Sequence, residues 1–233
     1  MTDITRRSLA AGAGLLAGTL ALPSVAQQPQ LIVPGTSRLR AQPLTFNPEK
    51  IRWLSPSAVV GQHEAYTKAV ERLNAINEEL AALDLTNAPV EKVGALKREE
   101  HDVYNEVVFQ QLYLECLGEA PTRPSGVFAQ AIERDFGGFD RWKGEFIAIG
   151  KSMKDGSGLA VMTYAPQDKR LVNHAVANYG MGPAGCVPLM ALDLNERTYS
   201  ADFRDDVDKF VDTFVQMARW ITPERLYREA IRV

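Results

Sequence analysis

Asp193 and Arg197 stand out as residues that could do chemistry, because an apolar run at 187–192 leads directly into Asp193. A buried strand that ends on a carboxylate can present it to a metal ion or to another cation. A guanidinium is always charged and does not ligate metals in that state. The four-residue spacing would bring the two side chains together on a helix, so we expect an ion pair. The alternative has Arg197 at a subunit interface and Asp193 capping a turn.

Histidines, the usual partners of a carboxylate in a transition-metal site, are few. The sequence has three, at His63, His101 and His174. His63 lies within the first helical pattern. His101 precedes Gln110 by nine residues, about two and a half helical turns, so the two lie on opposite helix faces. His174 lies inside a strand pattern, where we expect a structural role.

The elements that must position these residues follow from apolar periodicity. Three- and four-residue spacing predicts long helices over 48–83 and 90–117, joined as an antiparallel hairpin. Shorter helices are predicted over 125–135, 139–153 and 205–221, and again after Pro223. Strands are predicted at 159–166, 169–178 and 186–194, the first two joined by a hairpin turn. The predicted class is α+β, a helical hairpin followed by an α/β domain with a three-stranded antiparallel sheet.

Composition limits the possible functions. The net charge of the 233 residues is −3, and no basic run occurs, which argues against a nucleic-acid-binding surface. Sequence motifs of serine hydrolases, zinc proteases and phosphate-binding loops are not found. Cys116 and Cys186 could form a disulfide in an oxidising compartment, but we favour two unpaired thiols.

The chain begins like an exported protein. Arg6 and Arg7 precede an apolar stretch that is too short to span a membrane, and Ser24-Val25-Ala26 resembles a cleavage site. We therefore predict a twin-arginine export signal at 1–26, localisation in the periplasm or outside the cell, and no membrane span. Residues 27–42 are predicted to be a disordered leader, followed by a hairpin domain at 43–118 and an α/β domain at 125–233.

Several segments together resemble the iron/manganese superoxide dismutase family. They are DFGGFDRWKGEF at 135–146, DGSG at 155–158 and VPLMALDLNERTYSADFR at 187–204, supported by YNEVVFQQLYLECLG and FVDTFVQMARW. The resemblance covers about 44–226 in the family's order and spacing. It implies the α+β fold given above and, in the family, one iron or manganese ion held by three histidines and one aspartate.

The resemblance also assigns the four ligand positions. They correspond to His63, Gln110, Asp193 and Arg197, so two of the four are not metal ligands of the expected kind. The positions that surround the ligands have changed too. The glutamine that tunes the metal would correspond to Glu106 or Tyr179, and the tryptophan after the aspartate corresponds to Asn195.

These departures lead to two functional expectations. The first is a protein without dismutase activity and without a metal cofactor, which has a binding or structural role. The alternative is a working periplasmic dismutase whose iron or manganese is held by His63, Glu106 and Asp193. The resemblance further implies a homodimer, in which Glu196 of one subunit contacts Arg197 of the other.

Overall fold

The computed structural model describes residues 38–153 and 158–232. The N-terminal part of these residues contains two long helices. Helix α1 spans Pro56–Ala82 and helix α2 spans Val90–Glu115. Ser55 begins α1 because its hydroxyl accepts a hydrogen bond from the Ala58 amide at 3.2 Å. The two helices pack against each other along their length, as predicted for an antiparallel hairpin.

The C-terminal half alternates short helices with a small sheet. Its helices are α3 (Gly126–Phe136), α4 (Phe139–Ser152), α5 (Glu196–Phe203), α6 (Val207–Met217) and α7 (Ile221–Ala230). Its strands are β1 (Leu159–Ala165), β2 (Arg170–Val176) and β3 (Val187–Asp193), with a short 3-10 helix at Tyr179–Met181.

The sheet places Asp193 at the end of the edge strand β3, beside the central strand β1. The strand order is β2-β1-β3, with both pairs antiparallel, and every residue of β1 is buried. Leu159 at the start of β1 pairs with Asp193 at the end of β3. Such a fully buried strand needs apolar cover on both faces, and α2 supplies part of it: Phe109 and Leu112 pack with Leu159 in one cluster. The predicted α+β class is confirmed.

Several helix boundaries differ from the sequence prediction, and helix α5 was not among the predicted helices. The first long helix begins at Pro56, because a 3-10 helix at Pro48–Lys50 and an irregular turn precede it. The predicted helix at 205–221 ends at Met217. Helix α5 follows Asp193 almost at once and places Arg197 in its first turn.

The chain before α1 packs against α1 and has no helix or strand at 38–46. The side-chain amide of Asn74 accepts from the Leu39 amide and donates to the Leu39 carbonyl, both at 2.9 Å. The Gln42 amide donates to the Tyr66 hydroxyl at 3.1 Å. Residues 38–42, predicted to be disordered, are therefore fixed by specific hydrogen bonds.

Other predictions fall partly outside the described residues. The export signal at 1–26, the leader up to 37 and most of the DGSG segment lie there. Within the described residues, no helix is long and apolar enough to cross a membrane. Cys116 is buried and Cys186 is half-buried, and both are free thiols.

Candidate functional site

Asp193 is the fully buried centre of a polar network between the helical hairpin and the sheet. Its Oδ1 atom accepts from the backbone amide of Asn195 at 2.9 Å and from the Asn195 side chain at 2.5 Å. Its Oδ2 atom accepts from the Tyr179 hydroxyl at 2.6 Å and, more weakly, from Nε2 of Gln62 at 3.4 Å. Both carboxylate oxygens are therefore engaged by donors of the chain itself.

Tyr179 connects Asp193 to the rest of the network. Its hydroxyl donates to Asp193 and accepts from Asn195 Nδ2 at 3.0 Å and from Arg197 Nη2 at 3.2 Å. Burial raises the pKa of Tyr179 well above its usual value, and the neighbouring Asp193 raises it further. The phenol therefore remains protonated and acts as a permanent donor to Asp193.

Glu106 and Gln110 complete the network from α2, one turn apart. Gln110 Nε2 donates to Glu106 Oε1 at 2.6 Å, and Arg197 Nη2 donates to the same oxygen at 3.1 Å. Gln110 is fully buried, and its Oε1 atom has no hydrogen-bond partner in the part of the chain that the structure describes. This carbonyl oxygen is an acceptor that one more donor could satisfy.

These contacts show that the predicted ion pair between Arg197 and Asp193 is wrong. Arg197 forms its salt bridge with Glu106, and Tyr179 stands between the guanidinium and Asp193. Asp193 instead caps the turn into α5 through the Asn195 amide, as the alternative interpretation expected. Burial alone would lower the pKa of Arg197, but Tyr179, Glu106 and Asp193 together raise it, so the guanidinium stays charged.

His63 does not belong to this network, which corrects its assignment as the first ligand position. Its Nε2 atom lies 2.9 Å from the carbonyl oxygen of Gln42, in the segment before α1. The α1 side chain that reaches Asp193 is its neighbour Gln62, which is buried. One residue along a helix turns a side chain by about 100°, so the two cannot share a direction.

The remaining histidines also lie elsewhere. His101 contacts the carbonyl oxygen of Gly180 at 2.9 Å, and His174 contacts the Thr163 hydroxyl at 3.1 Å. Across residues 38–153 and 158–232, no group of three or more His, Cys, Asp or Glu side chains is arranged to hold a metal ion.

The residues at the site do not fit iron or manganese. The side chains that converge there are three amides, one phenol, one guanidinium and two carboxylates, with no imidazole among them. Asp193 has its oxygens occupied by donors, and Glu106 already shares one oxygen between Gln110 and Arg197. A fixed guanidinium beside these groups would also repel a cation. The arrangement suits hydrogen bonding to a polar ligand rather than metal redox chemistry.

Comparison with known proteins places this chain in a family. Residues 124–225 match the family described as "Iron/manganese superoxide dismutases, C-terminal domain". The "Superoxide dismutase [Fe]" of Cupriavidus metallidurans is 38% identical over 192 residues, which cover 82% of this chain and 97% of that protein. The "Superoxide dismutase [Mn] 2" of Halobacterium salinarum is 31% identical, over 72% of this chain and 83% of that protein.

The similarity to the Cupriavidus protein runs over nearly its whole length, so it includes the helical hairpin as well as the C-terminal half. It therefore supports the same family as the C-terminal match at 124–225. The predicted family is confirmed: the chain belongs to the iron/manganese superoxide dismutase family.

Proposed function

We propose that this protein is a metal-independent member of the dismutase family that binds a ligand or partner and does not turn over superoxide. The observation that carries the proposal is the occupation of Asp193: all four of its contacts are to hydrogen-bond donors of the chain. A metal ion would have to displace the Tyr179 and Asn195 donors and then lie near Arg197. No imidazole is present to offset that loss.

Elemental analysis tests this proposal directly. The full chain is expressed with its own export signal in cells supplied with iron and manganese, and the purified protein is assayed for both metals and for superoxide turnover. The Cupriavidus relative, prepared identically, is the positive control. We expect far less than one metal ion per chain and no turnover. About one ion per chain with turnover would overturn the proposal and favour the dismutase built on His63, Glu106 and Asp193.

We also propose that the chain is exported. Arg6 and Arg7 before a short apolar stretch, and the small residues at 24–26, support twin-arginine export followed by cleavage. The folded part then resides in the periplasm or outside the cell.

A homodimer is the assembly that we propose. Glu196 is exposed and Arg197 is 46% exposed, and the two are adjacent in the first turn of α5. A two-fold axis beside them would let Glu196 of each subunit contact Arg197 of the other, which gives two equivalent ion pairs. Arg197 has donors left for this contact and for a further acceptor, since of its five N–H donors only those on Nη2 are used within the described residues.

A further inference from the structure

An open cleft of about 410 Å³ lies between α1 and α2, with Glu106 and Arg197 in its wall. This volume lies within the range of small-molecule sites, roughly 300–1,000 Å³. Because Glu106 and Arg197 also belong to the network around Asp193, the cleft gives solvent a route to that network.

Small residues of α1 make room for the cleft. Gly61, Ala65 and Ala69 line it at four-residue spacing, so they form one face of the helix. A methyl group added at Gly61 would meet no atom within 4 Å. Large side chains at these positions would fill the space, so the volume depends on this part of the sequence.

Two cations in the wall have capacity for an anionic group. Arg197 uses only Nη2, and its Nε and Nη1 atoms make no hydrogen bond to any described residue. Lys68 also lines the cleft and forms no ion pair within the described residues. The free N–H groups of Nε and Nη1 can each donate a single hydrogen bond to a carboxylate oxygen.

Two acids in the same wall have capacity for a cationic group. Glu64 forms no ion pair in the part of the chain that is described. The Oε1 atom of Glu106 accepts from both Gln110 and Arg197, whereas Oε2 receives no hydrogen bond from the described residues. A simple anion would face these acids, and a simple cation would face Arg197 and Lys68. A molecule with one charge of each sign would satisfy both.

We infer that the cleft binds a small zwitterion with a carboxylate and an ammonium group, of which free amino acids are the simplest class. The carboxylate lies against Arg197 and Lys68, and the ammonium lies against Glu64 and Glu106. The inference rests on the proposed function, since a metal-bound site would place these side chains differently.

Calorimetry on the metal-free protein tests the inference with the free L-amino acids, and with acetate and methylammonium as probes that carry one charge each. We expect at least one amino acid to bind, with a Kd at least about tenfold lower than either single-charge probe. Binding of acetate as tight as that of every amino acid would overturn the zwitterion assignment. No binding of any amino acid at millimolar concentration would overturn the site itself.

Single substitutions test whether the amino acid binds in this cleft. Gly61→Leu fills the cleft and should raise the Kd by about tenfold or more. Gly144→Leu is the matched control: Gly144 also lies within a helix, and an added Cβ there also meets open space. Glu64→Lys should weaken amino acid binding through an exposed residue that folding does not need. If the Kd were unchanged in both Gly61→Leu and Glu64→Lys, the inference would be wrong.

The experiments distinguish a failure of the proposed function from a failure of the inference about the cleft. Stoichiometric iron or manganese in the exported protein would overturn the proposed function, whatever the ligand experiments give. A metal-free protein that binds no amino acid would leave the proposed function standing and would remove only the inference about the cleft.

Discussion

The hydroxyl of Tyr179 donates to Oδ2 of Asp193 at 2.6 Å, and this bond joins a 3-10 helix to the end of β3. A fully buried carboxylate needs donors, because the chain around it offers little solvation. Tyr179 supplies the shortest contact to that Oδ2 atom, and it also accepts from Arg197. The phenol therefore links Arg197, in the wall of the cleft, to the buried Asp193 through two hydrogen bonds.

Tyr179→Phe should lower the free energy of unfolding by about 1.5–3 kcal/mol, the usual value of a hydrogen bond to a charged group. Urea denaturation would measure the change. Tyr104→Phe removes a hydroxyl from a tyrosine that is 54% exposed and serves as the control. A loss for Tyr179→Phe no larger than that for the control would contradict the role assigned to this bond.

Histidine substitutions should show which residue of α1 faces the site. Gln110→His with Arg197→His keeps the native His63, yet we expect no stoichiometric iron or manganese, because His63 points toward Gln42. Adding Gln62→His places a third imidazole beside Asp193 and should permit metal binding. Metal content after growth with iron and manganese distinguishes the two variants. A metal-loaded double variant would show that His63 can reach the site.

His174 should make stability depend on pH. Burial lowers its pKa below the ordinary value of 6.5, so the folded state favours the neutral ring. The unfolded state therefore takes up the proton first as the pH falls below about 6.5, and this contribution to stability is lost from there downward. Thermal unfolding between pH 8 and pH 5 measures the effect. His174→Asn should flatten this part of the profile.

Glu196→Lys should weaken the proposed homodimer, because it would place a lysine opposite Arg197 of the other subunit. Truncating one partner of a buried interfacial charge pair costs roughly 2–5 kcal/mol, and reversing the charge should cost at least that much. Sedimentation at micromolar concentration gives the assembly state. Glu133→Lys, which makes the same charge change at an exposed position of α3, is the control. A wild-type protein that is monomeric under these conditions would rule out the assembly.

Replacing Arg6 and Arg7 together with lysine should abolish export, because twin-arginine signals are defined by that pair. Cell fractionation locates the protein, and the mass of the exported form should show that residues 1–26 have been removed. Replacing Arg38 and Arg40 with lysine controls for a general effect of arginine loss. Unchanged export of the Arg6/Arg7 variant would contradict the twin-arginine assignment.

Much of the fold could be predicted from apolar periodicity and turn residues. The hairpin between β1 and β2 was predicted at two residues and occupies four, at 166–169, with Lys169 at a positive φ of 55°. The strand that delivers Asp193 was predicted from its apolar run. The start of α1 was placed too early, because Pro48 begins a 3-10 helix and the true cap is Ser55.

The site was less accessible to sequence reasoning. The resemblance places His63 at a ligand position, whereas the buried residues of α1 include Val59, Gln62, Tyr66, Ala69 and Leu73 but not His63. The three- and four-residue steps of that series were the available signal. Nothing in the sequence indicated that Tyr179 would stand between Asp193 and Arg197, because this contact depends on how the 3-10 helix packs on α2.

The network around Asp193 also has a consequence for the order of folding. Gln62 and Asp193 are 131 residues apart in the chain, and Glu106 and Arg197 are 91 apart, so their contacts close long loops. Contacts of such high sequence separation become favourable only after the entropic cost of closing their loops has been met. We expect these contacts to form after the transition state, so that weakening them accelerates unfolding and leaves the folding rate nearly unchanged. The buried polar centre would then set how long the protein remains folded.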